Sequence, residues 1–311
     1  MGRHRALIIT ADDFGAGETI DRGIIAAVEA GIVTAVSALT NYPRAAAAVA
    51  ELHRSFPELG IGVHLNLTSG FPLTAPSLLG GICSADGAFQ GLPRLLTRLD
   101  TLDLTAVDAE LHRQVAVLTD QGIPVDHLSS HHNVLGIYPP FLDLMARLAL
   151  EFDAPVRTPV AVSQTHSRRY GYATTRKRAA RSILGLLGAR PFQALSVLPG
   201  TWIRLMNSKR RLARAGVRHP DHLIDALFGR PTEENLRHII GHLPPGVSEL
   251  VVHLADPATT VDGSDVPRGI DGDEFPNRIE EQRLITAPWI PTLLSAHGVQ
   301  RTRFRALRSR P

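Results

Sequence analysis

Cysteine, aromatic residues and long apolar runs are scarce in this chain of 311 residues. The single cysteine, Cys83, excludes an internal disulfide framework and a zinc site built from cysteines. Aromatic residues make up 5% of the chain, and no known nucleic-acid-binding motif is present, so we expect no nucleic-acid partner. No stretch reaches the roughly 18 apolar residues of a membrane span, and no apolar leader precedes the first predicted strand. These features predict a cytoplasmic protein.

Acidic residues are missing from one region. Residues 154–220 contain 14 Lys and Arg and no Asp or Glu, whereas the rest of the chain carries 19 basic and 30 acidic residues. Basic and apolar residues alternate there, which predicts a basic capping insertion at about 160–218. Such a cap could rest on an anionic membrane surface, at its inner face, and bind a lipid-linked substrate. The alternative is a solvated, Arg-rich insertion.

Apolar periodicity predicts alternating strands and helices. The predicted strands are residues 6–11, 32–39, 60–67, 125–131, 156–162, 249–254 and 299–304. The predicted helices are residues 18–30, 44–56, 102–121, 140–151, 179–187, 202–215, 233–243, 277–285 and 289–296. This alternation is typical of an α/β protein with a parallel sheet, either open or closed as a barrel. Without an internal repeat or a low-complexity linker, the chain is expected to form a single domain over residues 1–311.

Two adjacent carboxylates follow the first predicted strand. The apolar run from Ala6 to Ala11 ends in Asp12, Asp13 and, after Phe14, Gly15. In α/β folds the carboxyl ends of strands are where functional sites are assembled. Neighbouring carboxylates repel each other when desolvated, so the pair needs a cation or a shared proton. The alternative is that one of them caps the helix that starts near Gly17.

Strand parity places three histidines on a common side of the predicted sheet. His64, His131 and His253 each lie opposite the aliphatic side chains of their strand. If that side is a barrel interior, they converge with the aspartate pair. Two imidazoles and one carboxylate are a common ligand set for a catalytic divalent ion. For any single histidine, a hydrogen-bonded core residue is the alternative, and parity does not separate His131 from His132 at a strand end.

Several segments resemble the YdjC-like carbohydrate deacetylases, a family that includes chitooligosaccharide and hopanoid-associated deacetylases. The matching segments are T-A-D-D-F-G at 10–15, G-I-V-T-A-V-S-A-L-T-N at 31–41, G-V-H-L-N-L-T-S-G-F-P-L at 62–73, H-L-S-S-H-H-N-V at 127–134, L-P-P-G-V-S-E-L-V-V-H at 243–253 and R-L-I-T-A-P at 283–288. The resemblance implies an irregular, TIM-like β/α barrel with its site at the carboxyl end of the strands.

The resemblance also implies a role for each site residue. Asp12 would be the general base and His253 a general acid. The implied metal ligands are Asp13, His64 and His131, which would hold one divalent metal ion, Mg²⁺ or Zn²⁺. The expected substrate contacts are Asn41, His132 and Arg157. The implied activity is metal-dependent removal of an N-acetyl group, with release of acetate, from an amino sugar in an oligosaccharide, a glycolipid or a lipid-linked sugar.

The chain departs from the family pattern around residue 130. The family's usual D-S-H-H-H-V-H is S-S-H-H-N-V-L here, so Ser129 replaces a carboxylate, and Asn133 and Leu135 replace histidines. The lost carboxylate could have supported a metal-ligating imidazole. The second hypothesis is therefore a catalytically weak or inactive metal-binding barrel that binds a glycan or an anionic lipid partner. The sequence also leaves a homodimer open.

Overall fold

A parallel sheet of seven strands forms the centre of the computed structural model, which describes residues 4–159, 207–258, 266–270, 272 and 275–308. The strands are β1 (Arg5–Phe14), β2 (Ala35–Ala38), β3 (Gly60–Leu65), β4 (Leu128–Ser130), β5 (His222–Ile224), β6 (Gly246–His253) and β7 (Val299–Arg301). Their order is β4-β3-β2-β1-β6-β5, and β7 pairs with the start of β1. Every strand pair is parallel, so all carboxyl ends lie at one edge.

Helices cross over between the strands, as a parallel sheet requires. They are α1 (Glu18–Glu29), α2 (Ala45–Ser55), α3 (Leu92–Leu96), α4 (Leu104–Thr119), α5 (Val134–Ile137), α6 (Pro139–Glu151), α7 (Glu233–Gly241), α8 (Phe275–Ile285) and α9 (Ile290–Ala296). Residues 207–214 are also helical. Side-chain caps start α4, where Asp103 accepts from the Thr105 N–H, and α7, where Thr232 accepts from the Asn235 N–H. Within the described ranges, no helix combines the length and apolarity needed to cross a bilayer.

The sheet curls into a half barrel, which confirms the expected α/β fold of the TIM-like type. Hydrogen bonding continues past β4, because Arg157 N–H donates to the Leu128 carbonyl and Val156 N–H donates to the Arg218 carbonyl, both at 2.8 Å. These bonds extend the wall from β4 towards β5. The strand predicted over residues 156–162 is thus, as far as the structure describes it, a single bridge from Val156 to Leu128.

Alternate residues of β1 serve two different parts of the core. Leu7, Ile9 and Ala11 belong to the large apolar cluster shared with the helices. Ala6 and Ile8 instead join a small cluster completed by Ala35, Val247, Phe304 and Leu307. The second cluster plugs the barrel interior near the amino ends of the strands. By the same alternation Asp12 points into the interior, at the carboxyl end.

Several element boundaries differ from the predicted ones. Strand β4 is shorter than the predicted 125–131 because His131 begins a 3-10 turn. Strand β5 was missed, and β7 ends at Arg301 rather than at 304. Residues 207–214 confirm part of the helix predicted over 202–215. Residues 160–206, which include most of the predicted basic cap at about 160–218 and the helix predicted at 179–187, lie outside the described residues.

Candidate metal and catalytic site

A bulge at the end of β1 brings both aspartates into the barrel interior. Consecutive strand residues normally face opposite sides, but the pairing of β1 with β2 shifts between Asp12 and Phe14. Asp13 has φ 73°, a left-handed conformation that costs a non-glycine residue about 1–3 kcal/mol. Neither aspartate caps α1, since Gly17 occupies the N-cap position without a side-chain bond, so the capping alternative is wrong.

Asp13, His64 and His131 come together at this edge of the sheet. Oδ1 of Asp13 is 3.6 Å from His64 Nε2 and 3.2 Å from His131 Nδ1. The three ligand atoms all lie within 4.8 Å of one another. Bonds of about 2.0–2.2 Å to one divalent ion put its ligand atoms roughly 3–3.5 Å apart, close to these spacings. The structure therefore brings the three sequence-predicted ligands into contact distance of a common point.

An orphaned polar atom supports a cation at that point. Oδ1 of Asp13 is buried and has no hydrogen-bond partner among the described residues. Buried polar atoms without a partner are uncommon because they have lost their hydration without compensation. A carboxylate oxygen and imidazole nitrogens are ligands for a divalent transition metal, so the residues present fit such an ion.

Protonation states also suit metal binding. Burial alone would raise the pKa of Asp13, but Arg278, which donates Nη2 to Oδ2 at 2.5 Å, and the neighbouring imidazoles hold that pKa well below its usual range. Burial lowers the pKa of His64 to about 4, an effect larger than the opposing influence of Asp12. At neutral pH the carboxylate is therefore charged and the imidazole neutral, the forms in which each binds metal.

Arg157 binds the other aspartate of the pair, Asp12. Its Nη1 and Nη2 donate to the two oxygens of Asp12 at 2.6 and 2.7 Å, and its Nε donates to Glu249 at 2.8 Å. Burial opposes ionisation of Asp12, but Arg157 and His64 keep its pKa below the usual range. Asp12 is thus an oriented carboxylate beside the three candidate ligands, with Oδ2 3.6 Å from His64 Nε2. The guanidinium of Arg157 is engaged by these two carboxylates, and its predicted contact with substrate stays a prediction.

His253 lies on the strand next to Asp12. The two residues are register partners in the parallel pair of β1 and β6. The backbone N–H of His253 donates to Glu281 at 2.8 Å, and its ring packs edge-on against Phe228 at 4.8 Å between centroids. Its side chain is only partly buried. This position at the mouth is compatible with proton transfer to a bound molecule.

The other two predicted substrate contacts lie in different settings. Asn41 is 2% exposed and donates its amide to the carbonyls of Ser69 and Phe71, so it holds the loop after β3. His132 is exposed, with φ 52°, and shares a hydrogen bond of 3.0 Å with the Thr68 hydroxyl. His131, by contrast, points inward to Asp13, with its ring centroid 4.0 Å from that of His132. The choice of His131 over His132 as a ligand stays a prediction.

Sequence reasoning missed four residues that support the site, namely Ser37, Glu249, Arg278 and Glu281. A signal was present for Glu249, because it shares the parity of His253 on β6 and is a charged residue within a buried strand. Ser37 likewise shares the inward parity of Ala35 on β2. No comparable signal marks Arg278 or Glu281, since α8 carries polar residues on every side.

The fold and this residue set define a class, an α/β half barrel with a His₂Asp cluster and an adjacent carboxylate at the carboxyl ends of its strands. A family model described as YdjC-like protein matches residues 6–296, so the chain belongs to the YdjC-like family, as the sequence resemblance implied.

Relatives and a solved structure agree with this assignment. A carbohydrate deacetylase from Halalkalibacterium halodurans is 37% identical over 155 residues, 49% of this chain and 63% of that relative, so the match spans less than two thirds of the relative's length. A carbohydrate deacetylase from Thermoanaerobacter pseudethanolicus is 24% identical over 252 residues, 80% of each chain. A crystal structure from Enterococcus faecalis V583, assigned provisionally as a cellobiose-phosphate cleavage protein, shares the fold with a TM-score of 0.74 at 23% identity, covering 98% of this chain and 99% of its own.

Proposed function

We propose that this protein is a metal-dependent hydrolase that removes the N-acetyl group of an amino sugar and releases acetate. The observation that carries the proposal is the cluster of Asp13, His64 and His131 beside the ionised Asp12. The names of the two relatives supply the substrate class, a carbohydrate, and the bond, an acetyl linkage. Two imidazoles in the ligand set favour Zn²⁺ over Mg²⁺.

Each residue has a defined task in this reaction. A divalent ion held by Asp13, His64 and His131 would supply Lewis acidity towards the acetyl carbonyl and lower the pKa of water. Asp12 takes the proton of the attacking water, whose oxygen adds to the carbonyl carbon. His253 gives a proton to the amide nitrogen as the C–N bond breaks, so the products are acetate and the free amine. Arg157 keeps Asp12 in place and ionised until it takes that proton.

Acetate release from a panel of N-acetylated sugars tests the proposal. The panel includes single sugars, oligosaccharides and a lipid-linked sugar, each assayed with and without a chelator and after addition of Zn²⁺ or Mg²⁺. We expect release that the chelator abolishes and one of the ions restores. Asp120→Asn, at an exposed helix end, serves as the control variant. Release that is unchanged after exhaustive chelation, or absent from the whole panel with each ion, would refute the proposal.

Four finer expectations concern partners and location. The basic residues of the predicted cap at about 160–218 suggest a peripheral membrane contact and a lipid-linked substrate, and most of them lie outside the described residues. Sedimentation with anionic vesicles at low and high salt tests that contact, because electrostatic binding weakens with salt. The absence of sedimentation at low salt would remove the membrane hypothesis. The cytoplasmic location and the homodimer stay predictions.

A further inference from the structure

A buried chain of hydrogen bonds runs from the site into the barrel interior. His64 Nδ1 lies 2.7 Å from the Ser129 hydroxyl, which is 2.9 Å from the Ser37 hydroxyl. Ser37 in turn lies 2.8 Å from His127 Nε2, and His127 Nδ1 lies 3.2 Å from Asp126 Oδ2. All five residues are buried. The chain thus connects a candidate metal ligand on β3 to a carboxylate that precedes β4.

The direction of donation along this chain follows from its far end. A carboxylate only accepts, so in the neutral form of the His127 imidazole the contact with Asp126 places the hydrogen on Nδ1 and leaves Nε2 bare. The Ser37 hydroxyl must donate to that nitrogen, and it therefore accepts from Ser129. The single hydroxyl hydrogen of Ser129 is donated to Ser37, so the Ser129 oxygen accepts a hydrogen bond from His64 Nδ1. This order leaves Nε2 of His64 as a bare nitrogen.

Nε2 is the atom of His64 that faces the site. It lies 3.6 Å from Oδ2 of Asp12 and 3.6 Å from Oδ1 of Asp13. A hydrogen on that nitrogen would block metal coordination, whereas a bare nitrogen permits it. We propose that Asp126 is a positioning residue, which fixes the tautomer of His64 through His127, Ser37 and Ser129 and so prepares the site for a divalent ion. The inference rests on the proposed metal site but not on the reaction performed there.

Two glycines of β3 make room for the far end of this chain. A Cβ at Gly62 would lie 2.4 Å from Cε1 of His127, and a Cβ at Gly60 would lie 2.4 Å from Oδ2 of Asp126. The ring of His127 also stacks on Phe304, with ring centroids 4.0 Å apart and planes 12° apart. The imidazole is therefore closely packed by β3 and by Phe304, which restricts its hydrogen-bonding direction.

The hydroxyl of Ser129 alone does not set the tautomer of His64. The Ser129 hydroxyl, which lies 2.7 Å from His64 Nδ1, can donate or accept a hydrogen bond. Metal-ligating histidines commonly give their second N–H to a carboxylate, which sets the tautomer. Here the carboxylate is that of Asp126, and the hydrogen bonds that connect it to His64 pass through the imidazole of His127 and two serine hydroxyls.

Nitrogen-15 spectra of the histidine rings in the metal-free protein test the inference without any variant. We expect His64 and His127 each to carry hydrogen on Nδ1 and none on Nε2 at neutral pH. A hydrogen on Nε2 of His64 would overturn the proposal. So would a doubly protonated His127, because it would donate to Ser37 and reverse the chain.

Ser37→Ala breaks the chain without touching a candidate metal ligand. The matched control is Ser248→Ala, since Ser248 is a fully buried strand residue whose hydroxyl has no partner among the described residues. In Ser37→Ala we expect His64 to populate both tautomers and the Zn²⁺ dissociation constant to rise about tenfold, the lower end for outer partners of metal ligands. Ser248→Ala should change neither. A Ser37→Ala protein with one His64 tautomer and wild-type Zn²⁺ affinity would refute the proposal.

Discussion

The two walls of the site hold their aspartates differently. On the wall formed by β1 and β6, Arg157 engages both oxygens of Asp12 and one oxygen of Glu249. On the second wall, at the carboxyl ends of β3 and β4, the imidazoles of His64 and His131 face Asp13. Arg278 engages only Oδ2 of Asp13, and Oδ1 has no hydrogen-bond partner in the described part of the chain. The adjacent aspartates therefore differ in whether one carboxylate oxygen is left available, which supports proton transfer by Asp12 and metal binding by Asp13 in the proposed reaction.

Loss of an imidazole from the second wall should have the largest effect. In His64→Ala we expect Zn²⁺ affinity to fall by more than about a hundredfold, beyond the range for outer partners, and acetate release to fall below detection. Metal content after dialysis and acetate release measure both. The control is His132→Ala, an exposed histidine one residue from a candidate ligand, which should keep its metal. Stoichiometric Zn²⁺ in His64→Ala would contradict the ligand assignment.

Removing the negative charge of Asp12, on the first wall, should reduce turnover without reducing metal binding. Asp12→Asn removes the proposed base and keeps the shape, so we expect turnover to fall about 10²–10⁴-fold with metal content unchanged. Asp13→Asn is the matched comparison, because the same chemical change one residue later should reduce both quantities. Full activity in Asp12→Asn, or equal loss of metal in the two variants, would contradict the different roles assigned to Asp12 and Asp13.

Arg157→Lys keeps a positive charge but loses the two-pronged contact with Asp12. We expect turnover to fall about tenfold, and the acid limb of the rate profile to move to higher pH, because a less well placed cation lets the pKa of Asp12 rise. Metal content should not change. The pH dependence of kcat/KM measures the shift, and Arg211→Lys, in an exposed pair with Asp143, is the control. An acid limb that moves to lower pH would contradict the role assigned to Arg157.

The buried carboxylate of Asp21 differs from those of Asp12 and Asp13, and its removal has the smallest expected effect, a change in the free energy of unfolding. Asp21 accepts the Gly15 N–H at 2.6 Å, and burial raises its pKa to about 6. The folded protein thus keeps a proton that the unfolded chain loses near pH 4, so this residue makes stability fall as pH rises from about 4 through 6. Asp21→Asn should therefore be more stable than wild type by about 1–2 kcal/mol at pH 8.

Urea unfolding across pH values measures this difference. It should vanish below about pH 3, where the folded and unfolded wild-type proteins both hold the proton, and Asp120→Asn should show no comparable trend. A variant that is less stable than wild type at pH 8 would show that the carboxylate of Asp21 is stabilised in its charged form, as those of Asp12 and Asp13 are.

Local alternation predicted the inward histidines but not the geometry of the aspartates. His64, His131 and His253 were found because side chains alternate along strands. The same rule would send Asp13 outward, and only the bulge with its left-handed residue turns it inward. Arg278 reaches Asp13 from 265 residues away, a contact that no local pattern encodes. Strand β5 is three residues long and too short to show periodicity.

Anomalous diffraction from crystals grown with Zn²⁺ tests the central claim most directly. We predict one strong peak within bonding distance, about 2.0–2.2 Å, of Asp13, His64 and His131, with Asp12 outside the coordination sphere. A peak bound by Asp12 in place of Asp13, or no peak between these side chains at saturating Zn²⁺, would contradict the account.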